Sequence, residues 1–328
     1  MAPTASPPIQ VHLSPEDHSS RLADDVRRGL TATPKQVPSK WLYDPVGCSL
    51  FEEICDLPEY YPTRAERAIL AERARQIAVI ANARAVVDLG SGTSEKTVPV
   101  LDALDRIGRL ERFVGVDVAE PTLRQALAGL AGRYRELELE GVVADFELQL
   151  DRIPDGQDRL VMFLGGTIGN LDPAARHRFL TSLAGMLSAG EWFLVGTDLV
   201  KDPRRLVAAY DDAAGATAAF NRNVLSVLNT ELGANFNPAA FDHVARWDAG
   251  REWIEMRLRP SRSQRVDIPA LGLEVDVDAG EPIITEISAK FRPEGIRAEL
   301  SGAGFAVEAW WTDRDRDFAV TLARRDPA

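Results

Sequence analysis

The run Ala85-Val86-Val87-Asp88-Leu89 empties directly into Gly90-Ser91-Gly92, and few folds accept that order of residues. A short apolar stretch closed by glycines reads as a buried strand that turns tightly into a helix. Upstream, residues 64–81 are rich in Ala, Arg, Glu, Leu and Ile with no glycine or proline, which predicts a helix. Downstream the alternation continues with a helix over 93–105, a strand over 113–118, a helix over 121–134 and a strand over 138–144. Then come a strand over 159–164, a helix over 173–187 and a strand over 191–197. This rhythm predicts an α/β fold whose parallel sheet is covered on both faces.

After Asp198 the rhythm breaks. Helices are expected over 202–232 and 238–247, followed by alternating segments at 253–259 and 264–277. A helix over 293–301 and strands over 305–311 and 318–323, joined by a polar turn, predict a hairpin that returns to the first sheet as an antiparallel edge. The expected organisation is therefore a sheet domain from residues 65–200 and 290–328, interrupted by a discontinuous α+β domain from 15–64 and 201–289. Residues 1–14 read as a disordered tail.

Lys and Arg number 38 against 50 Asp and Glu in the 328 residues, a net charge of −12 that disfavours nucleic acid and anionic membranes as partners. Cys48 and Cys55 match no zinc or redox spacing, and the four histidines are scattered, so no metal is expected. The opening MAPTASPPIQ has neither a basic leader nor an apolar run, and no stretch approaches the roughly 20 apolar residues of a membrane span. A cytoplasmic protein follows, and with no heptad run to call for a dimer, a monomer is expected.

The glycine turn can be tested against ligands. A dinucleotide fingerprint needs glycine at position 95, and a P-loop fails at the same place, because Glu95 would set a carboxylate beside phosphates. Asp88, just before the turn, suits a ligand with a cationic end and no phosphate. DLGSGTSEKT resembles the first motif of class I S-adenosylmethionine-dependent methyltransferases, and the acids at the next two strand ends agree. The resemblance implies a Rossmann-like sheet with an antiparallel terminal strand. It also implies cofactor contacts from Asp88, Gly90, Ser91 and Lys96, with Asp117 on the ribose and Asp145 and Phe146 at the adenine.

Further segments narrow the resemblance: KWLYDPVGCSLFEEICDLPEYYPTRAE from Lys40, FLGGTIGNL from Phe163, GTDLVKD from Gly196, YDDAAGATAAFNRNVL from Tyr210, IEMRL from Ile254 and TEISAKF from Thr285. Over nearly the whole chain these resemble the histidine-specific Nα-methyltransferase family of ergothioneine biosynthesis. The resemblance implies three methyl transfers to the α-amine of free L-histidine, giving hercynine and releasing S-adenosylhomocysteine. It places Asn170 and Tyr210 on the substrate carboxylate, and Tyr60, Glu286 and Ser288 on the imidazole. Met256 falls in the pocket lining, and Tyr43, Gly165 and Thr167 fall near the reacting amine, with Tyr43 and Asn170 as the catalytic pair.

Chemistry supports the assignment, since a site that satisfies both imidazole nitrogens rejects apolar side chains. Tyr43 and Phe51 would offer π faces to the methylated cation. Taken by pattern alone, Glu286 and Ser288 share one face of an alternating strand and read as solvated, Met256 reads as core, and Tyr60 and Tyr210 read equally as ordinary half-buried aromatics or as site residues; Asn170, at the end of the fourth strand where an open α/β sheet binds ligands, reads as a donor to a carboxylate, with a helix cap before Pro173 as the alternative. Methylation of another amino acid or amine, such as tryptophan, and a nonenzymatic S-adenosylmethionine-binding regulator are the alternatives.

Overall fold

The computed structural model describes residues 6–327. Along the chain run β1 (Ile9–Val11), α1 (Pro15–Leu30), β2 (Lys35–Gln36), α2 (Pro45–Asp56), α3 (Pro62–Ala81), β3 (Ala85–Leu89), α4 (Val98–Arg106) and β4 (Arg112–Asp117). Next come α5 (Glu120–Arg133), β5 (Glu138–Val143), β6 (Arg159–Phe163), α6 (Pro173–Met186), β7 (Trp192–Asp198), α7 (Pro203–Ala208) and α8 (Ala216–Leu232). The remainder is β8 (Phe241–Asp248), β9 (Trp253–Pro260), β10 (Gln264–Ile268), β11 (Leu273–Val277), β12 (Ile283–Ala289), α9 (Pro293–Gly302), β13 (Phe305–Thr312) and β14 (Phe318–Arg325). Contacts divide the chain into two units. The first comprises Arg64–Leu199 with the segments up to Ser14 and from Phe291; the second comprises Pro15–Thr63 and Val200–Lys290.

The first unit is an eight-stranded sheet in the order β1, β5, β4, β3, β6, β7, β14, β13. β1 and β3 to β7 are parallel to their neighbours, while β14 is antiparallel to both β7 and β13. Every residue of β3 and β6 is buried, as a central strand with helices on both faces requires. The order reverses between β3 and β6, and at such a switch point the strand ends leave a crevice for ligands.

The expected tail needs correction. Residues 1–5 lie outside the described residues, but Ile9–Val11 pairs in parallel with Gly141–Val143, and the Gly141 amide donates to Pro8 O at 2.9 Å. The strand is held by backbone bonds and is mostly exposed, so its composition carries no burial signal. The helix expected from residue 93 starts at Val98, because Ser94 takes φ 57° and the chain must finish its turn first.

The second unit holds a four-stranded sheet in the order β2, β12, β9, β8 and a separate hairpin of β10 and β11. Phe220, Val224, Leu225 and Leu228 of α8 are buried in its core with Phe241, Ile254 and Leu258 of the sheet. The long helix expected over 202–232 is two helices. The break comes where Asp212 accepts the amides of Ala216 and Thr217, at 3.0 and 2.7 Å, and Gly215 takes φ 79° to begin α8. The helix expected over 238–247 is a strand, whose spacing of apolar residues also fits a helix; full pairing with β9 decides the outcome. The alternating segment over 264–277 folds back on itself at Gly272, φ 54°. Among the described residues no helix is long and apolar enough to cross a membrane.

Candidate functional site

In the first unit the residues implied as cofactor contacts gather at the ends of β3, β4 and β5. Gly90 and Gly92 take φ 67° and 47°, where side chains are strained, and a Cβ at Gly90 would approach only the Phe146 ring, at 3.8 Å. Ser91 and Ser94 are buried, and their hydroxyls find no hydrogen-bond partner among the described residues. Asp117 is oriented by two amides, Gly92 N–H and Ala119 N–H, each 2.9 Å from a carboxylate oxygen. Burial raises its pKa and the amide bonds oppose that rise. Asp145 is buried and accepts from Glu147 N–H at 2.9 Å, while the Phe146 ring stands edge-on to Phe163 at 5.0 Å. Donors, a fixed carboxylate, an aromatic face and a glycine opening together fit an adenosine-bearing ligand.

Asp88 is buried and accepts the Thr97 hydroxyl, and burial pushes its pKa up to about 7 despite that bond. Lys96 donates to Glu66 at 2.9 Å. Glu66, on α3, has no exposed surface and also accepts the Gly165 amide. Its carboxylate fits because residue 196 is glycine, where a Cβ would come within 1.9 Å of Oε1. Sequence reasoning missed Glu66; its signal was a glycine inside the otherwise bulky strand β7, which marks a close approach. Gly165 and Gly166 take φ 82° and 71°, leading into the single turn Thr167–Asn170, where the Thr167 hydroxyl donates to Leu164 O at 3.0 Å and Asn170 is half-buried. Asn170 does not cap α6. Asp172 does so, accepting from Ala175 N–H at 2.7 Å.

The second unit brings together Tyr43, Tyr60, Tyr210, Met256, Glu286 and Ser288. Tyr43 packs edge-on against Phe51 and Phe220, at 5.5 and 5.3 Å between ring centres, and Tyr60 stands edge-on to Phe51 and Tyr210 at 6.0 and 6.1 Å. Burial, with Glu286 and the other tyrosine hydroxyls nearby, holds the Tyr43 and Tyr60 phenols well above their ordinary pKa. The strand face of Glu286 and Ser288 is not solvated: they are 9% and 5% exposed. A register shift between Ile284 and Glu286 bulges β12 and sets Glu286 directly across from Met256. Burial raises the Glu286 pKa to about 7, and Lys290 opposes the rise. No hydrogen bond or ion pair reaches the Glu286 carboxylate among the described residues.

Around this cluster lie residues that sequence reasoning did not single out. Lys290, 4% exposed, donates to both Tyr210 Oη and Ser288 Oγ at 2.8 Å, and those two hydroxyls are 2.7 Å apart. His243 Nε2 lies 2.7 Å from Tyr210 O and its Nδ1 lies 2.8 Å from Asn221 Nδ2, while the Thr285 hydroxyl donates to Asn221 Oδ1 at 2.5 Å. In the first unit, separately, a carboxylate group with ligand-like spacing, Asp313, Asp315 and Asp317, lies in the β13–β14 turn, where Asp313 accepts the amides of Asp315, Asp317 and Phe318.

A parallel sheet with an antiparallel strand slotted between β7 and β13, a glycine turn after its central strand and acids closing the next two strands define a class I S-adenosylmethionine-dependent methyltransferase. Within that class the chain belongs to the histidine-specific, S-adenosylmethionine-dependent methyltransferase family, whose sequence model matches residues 22–325. It is 52% identical over 314 residues to the histidine N-alpha-methyltransferase of Mycolicibacterium smegmatis, covering 96% of this chain and 98% of that one. The enzyme of the same name from Mycobacterium tuberculosis is 51% identical over equal shares. A 4-dimethylallyltryptophan N-methyltransferase from Claviceps fusiformis is 29% identical, covering 91% of this chain and 90% of its own.

Proposed function

We propose that the chain transfers methyl groups from S-adenosylmethionine to the α-amine of free L-histidine, three times in succession, forming hercynine in ergothioneine biosynthesis. The observation that carries this reading is Glu286: a buried carboxylate, free of protein hydrogen-bond donors among the described residues, beside two tyrosines and facing Met256. It suits an N–H of an imidazole and leaves an aliphatic side chain facing an unanswered polar group. Support also comes from the identity of more than half to two relatives that carry the activity in their names.

S-adenosylmethionine, when bound, supplies a methyl group on a sulfonium that departs as a neutral thioether, chemistry that needs no Lewis acid. Asp117 takes the ribose hydroxyls, and Asp145 and Phe146 hold the adenine. Tyr60, Glu286 and Ser288 read the imidazole, and Asn170 and Tyr210 take the carboxylate. With its pKa raised, Tyr43 keeps its proton at neutral pH. It therefore orients the neutral amine through its oxygen and relays a proton to water rather than acting as a standing base. Alignment of amine and methyl, with water excluded, then supplies most of the acceleration. With this reading go a metal-free reaction and a monomeric protein in the cytoplasm.

Incubating the protein with S-adenosylmethionine and each of the twenty amino acids, then reading product masses, tests it. Histidine alone should gain one, two and three CH2 increments. A faster gain on tryptophan would favour the alternative amine, and no gain on any would favour a binding protein.

A further inference from the structure

We propose that Thr285, held by Asn221 of α8, is a positioning residue: it locks the bulge of β12 that turns Glu286 and Ser288 into the site, and so sets the preference for an imidazole. The inference rests on the reading in which Glu286 and Ser288 take the imidazole, and it adds the groups that make β12 present them.

Side chains alternate along a strand, so a slip of one residue exchanges its two faces. Ile283 lies across from Leu258 and Ile284 across from Arg257, while Glu286 lies across from Met256. Thr285 is therefore the extra residue of the bulge. Had the first register continued, Thr285 would stand across from Met256, Glu286 across from Glu255 and Ile287 across from Ile254. Thr285 and Ile287 would then share the core face of Ile283, and Glu286 and Ser288 would share the opposite one. The burial follows the bulged arrangement: Ile283, Glu286 and Ser288 are buried, while Ile284 and Ile287 are only half-buried.

Burial alone favours the straight register, which would replace a carboxylate and a hydroxyl on the core face by an isoleucine. It would also regain the ladder bonds that a bulge forfeits. Side chains make up the difference. The Thr285 hydroxyl proton is shared between Met256 O, at 3.1 Å, and Asn221 Oδ1, at 2.5 Å, and Asn221 Nδ2 donates to Arg257 O at 3.2 Å. Both carbonyls belong to the β9 residues at the shift. Asn221 has no exposed surface, and it also donates to His243 Nδ1 at 2.8 Å, so the amide cannot turn without breaking a buried bond. Removing the Thr285 hydroxyl takes a donor from Met256 O and from Asn221 Oδ1, which tips β12 toward the straight register. Ile287 then replaces the polar pair, and the pocket suits an apolar ring.

The test compares the full chain of wild type, Thr285→Val and Thr285→Ser by kcat/KM for L-histidine and for β-(2-thienyl)-L-alanine, whose five-membered ring has no N–H. In Thr285→Val the histidine value should fall at least about tenfold, the scale of one hydrogen bond to a charged group, while the thienyl value holds or rises and the KM for S-adenosylmethionine is unchanged. Thr285→Ser keeps the hydroxyl and should keep the preference for histidine. Adding Glu286→Gln to Thr285→Val should cost little more, because the carboxylate has already left the site. Equal loss on both substrates, or an undiminished effect of Glu286→Gln in the valine background, overturns the role of Thr285 and leaves histidine methylation standing. Should the valine variant not fold, deletion of Thr285 decides. It straightens β12 with Glu286 still across from Met256, so the preference should survive, and a deletion variant that loses it or cannot fold overturns the proposal. No methylation of histidine by the wild type overturns the functional reading itself.

Discussion

The two carboxylate oxygens of Glu66 accept the backbone N–H of Gly165 at 2.8 and 2.9 Å, and Lys96 reaches one of them at 2.9 Å. One buried acid on a helix thereby fixes both a loop after the glycine turn and the loop after β6. Glu66→Gln removes the charge that pairs with Lys96 and turns an N–H2 toward one of its present donors. It should lower unfolding free energy by about 2 kcal/mol, as for a hydrogen bond to a charged group. The KM for S-adenosylmethionine should rise well above its wild-type value while that for histidine changes little. Urea unfolding and initial rates read the two effects, and a pure stability loss would remove Glu66 from cofactor positioning.

Glu286 predicts opposite effects on stability and activity. Burial raises its pKa from 4.5 to about 7, so between those values the native protein holds a proton that the unfolded chain has released. Stability therefore falls as pH rises through that window, by on the order of 3 kcal/mol for this group. Glu286→Gln cannot ionise and should melt higher than wild type above pH 7, with the difference closing toward pH 4.5. Its kcat/KM for histidine should fall about a hundredfold, the upper range for one hydrogen bond to a charged group. Melting curves across pH decide the first point; a variant no more stable than wild type at pH 8 contradicts it.

His243 gives a third expectation. Donation from Asn221 makes Nδ1 the acceptor and places the ring proton on Nε2, which donates to Tyr210 O. Burial lowers its pKa below 6.5, partly offset by that bond to Tyr210. The unfolded chain therefore binds the proton first, and the stability that the neutral ring contributes is lost as pH falls below 6.5. His243→Leu should cost about 2 kcal/mol at neutral pH by removing the His243 partner of Tyr210 O and one of the two partners of Asn221 Nδ2, which keeps Arg257 O at 3.2 Å, and less as the medium is acidified. It should raise the histidine KM and leave that for S-adenosylmethionine unaltered.

Deleting residues 1–14 removes β1 and with it the bond from Gln149 Nε2 to His12 O, at 2.8 Å, that tethers the loop carrying Asp145 and Phe146. Gln149 also accepts the Asp145 amide at 3.0 Å. The shortened chain should keep its histidine KM, show a higher KM for S-adenosylmethionine, and lose solubility as the edge of β5 is bared. Light scattering and initial rates measure both; a chain with an unchanged S-adenosylmethionine KM would show that the tether is dispensable.

The parallel strands were legible because each is a short apolar run closed by turn residues, and β3 occupies Ala85–Leu89 as read. β8 was not, since its apolar residues fit two periods and only its partner β9 selects one. β1 was invisible because it is three residues long and mostly exposed, with only Ile9 packed on the core. Among the candidate site residues, Asp117 was singled out by standing at a strand end. Glu66 looked like any helical acid, and its burial depends on Gly196, far along the chain and on another element. Lys290 was hidden for the same reason: nothing in TEISAKF says that the lysine and Ser288 converge on Tyr210. What sequence cannot display is the meeting of side chains from distant segments.

Thr197 and Ala319 face each other in the sheet although 122 residues separate them. During translation, at roughly 5–20 residues per second, the nascent chain leaves β7 with a bare edge for on the order of ten seconds before β14 emerges. Most of the residues made in that interval, Val200–Lys290, are those that complete the other unit. A ribosome that stalls there releases not a smaller enzyme but an open, sticky sheet, so chaperone demand and the damage done by premature stop codons should both concentrate in the stretch between β7 and β14.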